Sequence, residues 1–315
     1  GKAVVVNADG TVRSSASVTT TNTEAVTTAF AEVSTGLQGA SGQSTVYDTN
    51  AKRFVLSFQN GDNSNYGTSI VIEINTSNFS LSYGTPVTYT LGSDDDGRAI
   101  VGTVDPSDNS ISFGTAAKFN GTNNSTVVSN CFDSTNNKVV IAWQDTSNSN
   151  YGTAVVGTVS GTDITFGSVV VFESATTGGP KLVHDVGANK IVIQYSDQGN
   201  SSYGTAIIGT ISGTSISFGT ASVYNSSTEY DVRQPVYDST NNKTVLLYQD
   251  YGDGEKGKAR VVSISGTTPS FGTEATFESQ KVNPLSATFD SNIGKVAIGY
   301  YDETPTNMRH ISGTV

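Results

Sequence analysis

The side chains best placed to hold a ligand fall in four polar loops of like composition, residues 60–66, 145–151, 197–203 and 250–256. The candidate ligand-binding residues in them are Asn65, Tyr66, Asp145, Asn150, Tyr151, Asp197, Tyr203, Asp250 and Tyr251. Their amides, carboxylates and phenol rings can hydrogen-bond to sugar hydroxyls and stack on sugar rings. The same residue types also build turns. Asp, Asn and Gly shape tight loops, and an Asp at a strand end can hold its hairpin through backbone N–H groups. Calcium is a further chemistry, because residues 250–255 are rich in oxygen ligands, although their spacing is not that of an EF-hand. No other cofactor is expected.

Catalysis has no candidate constellation. His184 and His310 stand alone, with no acid or nucleophile at an informative spacing, and read as strand residues packed at blade surfaces. The single Cys131 cannot form an internal disulfide and reads as a small buried apolar residue on a strand. No triad, metal pair, phosphate loop or distinctive acid pair is present, so the chain is expected not to be an enzyme.

The loops recur because the whole chain recurs. Tyr66-Gly67-Thr68, Tyr151-Gly152-Thr153, Tyr203-Gly204-Thr205 and Gly257-Lys258-Ala259 each lead to an aromatic-Gly phrase, whose aromatic falls at Phe113, Phe166, Phe218 and Phe271 in steps of 53, 52 and 53 residues. Within each period, four short runs rich in Val, Ile, Thr, Tyr and Phe are separated by Asn, Asp and Gly, the pattern of antiparallel strands joined by hairpins. No window of helical length carries an apolar stripe at three-to-four spacing. Four strands per repeat of this length predicts an all-β chain folded as a β-propeller, in which radial closure removes exposed sheet edges. Equivalent loops then emerge on one face. Trp143 shares its register with Phe58, Tyr195, Tyr248 and Tyr300, which favours blade packing over a sugar platform.

One period is short. A turn Asp recurs at Asp133, Asp185, Asp238 and Asp290, but Asp48 lies 85 residues before Asp133, about 20 short of two periods. The first two strands of one blade are thus missing between Thr90 and Gly97: either that blade is a two-stranded remnant, or a segment is omitted. Ser93-Asp94-Asp95-Asp96-Gly97, at this junction, resembles half of the Ser-x-Asp-x-Gly box of sialidase propellers, but it lacks the closing Trp and occurs once. Third strands number six, so six blades are expected, one truncated. The last lacks a fourth strand at its C-terminal end, and residues 27–36 are placed to supply it and close the ring. Residues 1–26 form a separate leader with a hairpin-like Asp9-Gly10 turn, read as a flexible or attachment segment, and 27–315 the propeller.

The chain has 315 residues and a net charge of −11, with 28 acids against 17 bases. No basic cluster could neutralise phosphates, which argues against nucleic acid, and no apolar run approaches the 18 or so residues of a membrane span. The weakly charged surface, rich in Asn, Ser and Thr, suits an extracellular protein.

Asn150-Tyr151-Gly152-Thr153-Ala154-Val155-Val156-Gly157-Thr158-Val159-Ser160-Gly161-Thr162, running on to Phe166-Gly167, together with Asp133-Ser134-Thr135-Asn136-Asn137-Lys138, resembles a repeat common in virion proteins of tailed bacteriophages, especially those of marine bacteria. The segment Lys2 to Val12 resembles the stretch that precedes such repeats, and the likeness covers roughly residues 1–12 and 44–315. It implies a virion component: a tail fibre head, a tail-associated adhesin or a capsid decoration, attached to other virion proteins by the leader. Three functions follow as expectations: adhesion to a host cell-surface glycan or protein through loops of one face; a purely structural spacer or decoration; and a lectin-like propeller or polysaccharide hydrolase working outside cells.

Overall fold

Alternating β-branched and aromatic residues make strands here, and Asp-led turns reverse them. The computed structural model describes residues 4–6, 12–14, 41–61, 63–64, 66–77, 80–89, 96–229, 232–303 and 306–315. Its regular structure is antiparallel strand, with two short 3-10 turns at 198–200 and 251–253 and no α-helix among the described residues. No described helix is long and apolar enough to cross a membrane. The chain divides into two compact units, one of residues 19–118 with 159–164, the other of residues 1–18, 119–158 and 165–315.

In the first of these, Ser41–Asp48, Arg53–Asn60, Tyr66–Ile74 and Leu81–Tyr83 form one blade, with Val87–Tyr89 also on the third strand. After it come Arg98–Ala99, Gly102–Asp105, Ser110–Phe113 and Ala117–Lys118, which among the described residues pair as third and fourth strands alone, a two-stranded remnant in the sequence as it stands. Ile111, Val104 and Phe113 of the remnant pack on Val55, Val71 and Val87 of the blade. Arg53 ties the two together by donating to the Pro106 carbonyl at 2.9 Å and to Asn109 Oδ1 of the remnant, while pairing with Glu73 of its own blade at 2.9 Å.

The other unit carries four successive blades, called here the third to the sixth. Ser125–Asp133, Lys138–Asp145 and Tyr151–Ser160 open the third; Lys190–Asp197 and Tyr203–Ser212 are second and third strands of the fourth; Val236–Asp238, Lys243–Asp250 and Lys256–Ser265 open the fifth. The turns work as their residues suggest. Asp133 Oδ1 accepts from the backbone N–H of Thr135 and Asn136, both at 2.9 Å, and Asp238 Oδ1 from Thr240 and Asn241 at 2.8 and 3.0 Å. Each turn closes on a left-handed residue, Asn137 (φ 53°), Asn189 (51°), Asn242 (53°) or Gly294 (62°), which Asn and Gly tolerate best.

The fourth strand differs from expectation in being split. Ser215–Phe218 pairs with the C-terminal part of the third strand, and Ser222–Thr228 returns to its N-terminal part; Thr268–Phe271 and Ala275 onward do the same in the fifth blade. The aromatic-Gly phrase makes the break: the N–H groups of Gly167, Gly219 and Gly272 donate to Val156, Ile208 and Val261. Val170–Asp185 and Ala275–Asp290 then run straight on as the first strand of the following blade. The sixth blade contributes Val282 to Asp290, Lys295–Glu303 and Thr306–Gly313. Residues 27–36, expected to close it, lie outside the described residues. In the leader, Val4–Val6 pairs antiparallel with Val12–Ser14, as its sequence suggests.

Packing between blades repeats as well. Phe119, Phe172, Tyr224 and Phe277 stack on Trp143, Tyr195, Tyr248 and Tyr300 of the next second strand, with ring centroids 4.8, 5.3, 5.1 and 5.6 Å apart. Trp143, Tyr195 and Tyr248 are wholly buried, so their shared register is indeed a packing feature. The Gly of Tyr-Gly-Thr makes room for the ring: a Cβ on Gly152, Gly204 or Gly257 would lie 2.5, 2.6 or 2.3 Å from Phe172, Tyr224 or Phe277. The Gly of the aromatic-Gly phrase serves the same end, since a Cβ on Gly167 or Gly219 would meet the carbonyl oxygen of Thr214 or Thr267 in the next blade at 1.9 or 2.1 Å. Gly167→Ala is therefore expected to cost about 3 kcal/mol, the upper end of overpacking losses. Denaturant unfolding would show it as a lower midpoint at unchanged slope, and an unshifted midpoint would contradict the contact.

Candidate functional site

The loops between second and third strands are built by their own backbone. Asp145, Asp197 and Asp250 end their strands opposite Tyr151, Tyr203 and Lys256. Their carboxylates accept from Ser147 N–H at 3.1 Å, Asn200 N–H at 3.1 Å and Gly252 N–H at 3.0 Å. Two left-handed residues then lead into each third strand, Ser149-Asn150, Ser201-Ser202 and Gly254-Glu255, which accounts for the loop composition. The carbonyls of Asn150, Ser202 and Glu255 accept from Thr177, Glu229 and Val282 N–H at 3.0, 2.7 and 3.1 Å, pinning the chain as it enters the next blade.

The candidates are thus distributed as follows. Asp145, Asn150, Asp197 and Asp250 have turn-holding roles. Tyr151 and Tyr203 are half-buried across the hairpin from their Asp, Tyr66 is 43% exposed, and Tyr251 lies in the 3-10 turn capped by Asp250. Asn65 lies outside the described residues. The structure brings Asp145 and Asp197 opposite the Tyr of their own hairpins, and Asp250 to a cavity.

That cavity, of about 390 Å³, lies where the fourth strand of the fourth blade meets the loop of the fifth. Tyr224, Asn225, Ser226 and Ser227 line one side and Asp250, Gly252, Asp253, Arg260 and Glu274 the other. Lys258, buried behind them, places Nζ 2.6 Å from Asp250 Oδ2, 3.0 Å from Asp253 Oδ2 and 2.8 Å from Glu274 Oε1. Glu274 also accepts from Tyr248 Oη at 2.6 Å and lies 3.5 Å from Arg260 Nη2. Asn225 Oδ1 accepts from Ser227 N–H at 3.1 Å, and the single Ser227 O–H is shared between Asn225 Oδ1 at 2.9 Å and Asp250 Oδ1. In the calcium-like loop, then, the cation among the oxygens is an ammonium.

The electrostatics follow from these contacts. Burial pulls Lys258 down, but hydrogen bonds to Asp250, Glu274 and Asp253 outweigh it and hold the ammonium above the usual lysine range. Burial raises Asp250 and Glu274, yet hydrogen bonds from Lys258, with Ser227 on the first and Tyr248 on the second, leave both below ordinary carboxyl values. Hydrogen bonds from Lys256 and Lys258 lower Asp253 as well.

Sequence reasoning passed over Lys258, Arg260, Glu274 and Asn225. The signal was a departure from the repeat. Lys258 stands where the third and fourth blades have Thr153 and Thr205, Arg260 where they have Val155 and Ile207, Glu274 where they have Val169 and Ala221, and Asn225 where the neighbouring seams have Glu173 and Glu278. Those two glutamates accept from Tyr195 Oη and Tyr300 Oη, each at 2.9 Å. With Asn225 at the corresponding position, Tyr248 turns to Glu274 instead.

The other reactive groups are committed elsewhere. His184 is buried, its Nδ1 accepting from Ser134 N–H at 3.3 Å and its Nε2 3.2 Å from Asp133 Oδ1, so it holds the preceding blade's turn. His310 is exposed opposite Gly299. Burial, with Asp133 nearby, pushes the Cys131 thiol up to about 12, which leaves it a packing residue. Asp96 of the 93–97 box pairs with Arg98 at 3.2 Å and with Lys118.

No family model matches this sequence, and no curated protein is similar to it. Among solved structures it is similar to a protein of Bacteroides uniformis provisionally assigned as a 6-phosphogluconolactonase, at 10% identity over 86% of this chain and 84% of that one, with a TM-score of 0.56. The fold is a β-propeller. A second likeness, to the subtype N11 neuraminidase-like protein of the flat-faced bat strain H18N11, has 8% identity over 88% of each chain and a TM-score of 0.44, too low to carry an argument. At such identities the propeller likeness speaks for architecture alone.

Lowered carboxyls stabilise the fold fully above their ordinary values, 3.8 for Asp250 and 4.5 for Glu274, and the contribution is lost as pH falls through the lowered ones. Lys258→Met is expected to cost about 2 kcal/mol at pH 7, less than a fully buried broken pair because Glu274 still meets water. In paired melts the gap between variant and wild type should close as the solution is acidified below pH 3.8; a gap constant with pH would contradict the ion-pair account. Thiol labelling of native Cys131 should run at least about tenfold slower than in the unfolded chain, and equal rates would overturn its assignment as inert.

Proposed function

We propose that this propeller is a non-enzymatic adhesive component of a phage virion, which binds a host surface glycan or receptor through its second-to-third strand loops. The observation that carries the binding reading is the cavity at the fifth-blade loop, where acceptors and donors surround a space open to solvent. Its size falls within the roughly 300–1,000 Å³ of small-molecule clefts. Glycoside hydrolysis by a carboxyl pair needs one carboxyl held protonated near neutral pH. Asp250, Asp253 and Glu274 are all shifted the other way, which supports binding over hydrolysis. The virion setting, an extracellular location and attachment to other virion proteins by residues 1–26 rest on the resemblance of the repeat and leader.

A structural spacer or decoration is the second reading. The loops at 60–66 and 145–151 favour it, because they share both backbone hydrogen bonds, Asn63 N–H to Asn60 and Asn148 N–H to Asp145, then Tyr66 N–H to Asn63 and Tyr151 N–H to Asn148. Near-identical loops are what packing alone would keep. The two readings part in a pull-down on bacterial cells combined with a glycan array. Adhesion predicts retention on host cells and on a subset of array glycans; no retention on either leaves the spacer.

A further inference from the structure

In a repeat protein, a position with only a packing role should carry the same kind of residue in every blade. The junction of the fourth and fifth blades departs from its immediate neighbours at Asn225, Lys258, Arg260 and Glu274, although Arg98 and Arg309 share the register of Lys258 and Asn120 that of Asn225. Lys258 stands behind the cavity that the other three line. These substitutions are costly to the fold. Lys258 replaces Thr, Arg260 replaces Val or Ile and Glu274 replaces Val or Ala, while Asp250 matches Asp145 and Asp197, and Asp253 stands where those loops have Asn148 and Asn200.

Three donors at this place are left over, the buried Tyr224 hydroxyl among them. Asn225 is 6% exposed, and while its Oδ1 accepts from Ser227, its Nδ2 has no partner. Arg260 Nε is likewise buried and without a partner. Buried donors without acceptors are unfavourable unless something supplies the acceptors. On the opposite side, Asp253 and Glu274 keep carboxylate edges in contact with solvent, their side chains 46% and 27% exposed.

We infer that this cavity is a single neutral-sugar subsite, one per chain, in which vicinal hydroxyls accept from Asn225 Nδ2 and Arg260 Nε and donate to Asp253 and Glu274. A hydroxyl both donates and accepts, so one polyol satisfies both sets. An anionic sugar is disfavoured because Lys256, Lys258 and Arg260 balance Asp250, Asp253 and Glu274 and are each already paired with one of them, so that none of the three is free for a further carboxylate. A free cation is disfavoured because Lys258 already holds the centre of the carboxylates. The inference rests on the glycan-binding reading and deepens it, placing recognition in one blade and not in a ring of equivalent loops.

The test titrates the full chain with glucose, galactose, mannose, N-acetylglucosamine and glucuronate, following binding by saturation-transfer NMR and calorimetry. Two variants accompany it. Asn225→Asp keeps the acceptor for Ser227 and removes the Nδ2 donor. The charge-balanced Arg260→Ile/Glu274→Ala pair restores the fourth blade's own residues, Ile207 and Ala221, and so keeps the packing. At least one neutral sugar should bind at one site per chain, glucuronate should not, and each variant with an unchanged circular dichroism spectrum should bind at least about tenfold more weakly, the loss of one or two hydrogen bonds. Should Asn225→Asp unfold, the double variant alone decides. Failure of all four neutral sugars, tighter binding of glucuronate, or full affinity in a folded variant would overturn the subsite. Host-cell retention that persists in the double variant would sink the subsite and leave the adhesion reading standing; sugar binding without host-cell retention would do the reverse.

Discussion

Each seam in the four-blade unit depends on an aromatic ring packed where a glycine has no side chain. The ring comes from the fourth strand of one blade, the glycine from the third strand of that same blade, and the partner ring from the second strand of the next. Because the glycine admits the ring, the ring can turn outward from its own sheet and reach the neighbour. The second glycine, at the strand break, lets the adjoining blade's turn carbonyl come within what would be side-chain distance. Burial of aromatics of this size is worth several kcal/mol per seam, far more than the polar contacts of the turns.

That mechanical economy explains why the loops can look like ligand sites without being needed as such. Once the seam fixes where each blade begins, the loop has to turn the chain and pass it on, and the Asp cap, two left-handed residues and a carbonyl aimed at the next strand do both. Asn150 is typical: its composition suggests recognition, while its left-handed φ of 61° and its bond from Thr177 N–H give it a turn role. The fifth blade keeps this plan and adds to it. Asp250 still caps its loop through Gly252, but its second oxygen is turned to Lys258, and from there the charge network reaches Glu274 and Arg260.

The strands, the turn Asp residues and the truncated blade were legible because each depends on local sequence: alternation, Asx geometry and a missing stretch of chain. The shared register of Trp143, Tyr195, Tyr248 and Tyr300 was legible too, since repetition at a fixed period exposes packing. The split of the fourth strand was not, because nothing in Ser-Phe-Gly shows that the chain leaves the sheet and returns to it two residues later. The cluster at Lys258 escaped for another reason. Its members come from two blades and lie up to 49 positions apart, from Asn225 to Glu274, so that only folding brings them together. The masking effect of the repeat added to this: Gly257-Lys258-Ala259-Arg260 reads as one more copy of Gly-Thr-Ala-Val until the side chains are placed.

The seam is tested most directly by a double-mutant cycle on Gly257 and Phe277, since no other atom lies within 3 Å of a Cβ at Gly257. Gly257→Ala should destabilise the wild type by about 2–3 kcal/mol and the Phe277→Ala protein by well under half of that, because the ring it collides with is gone. Costs that simply add would mean that ring and glycine are independent, and would contradict the account of how these blades are held together.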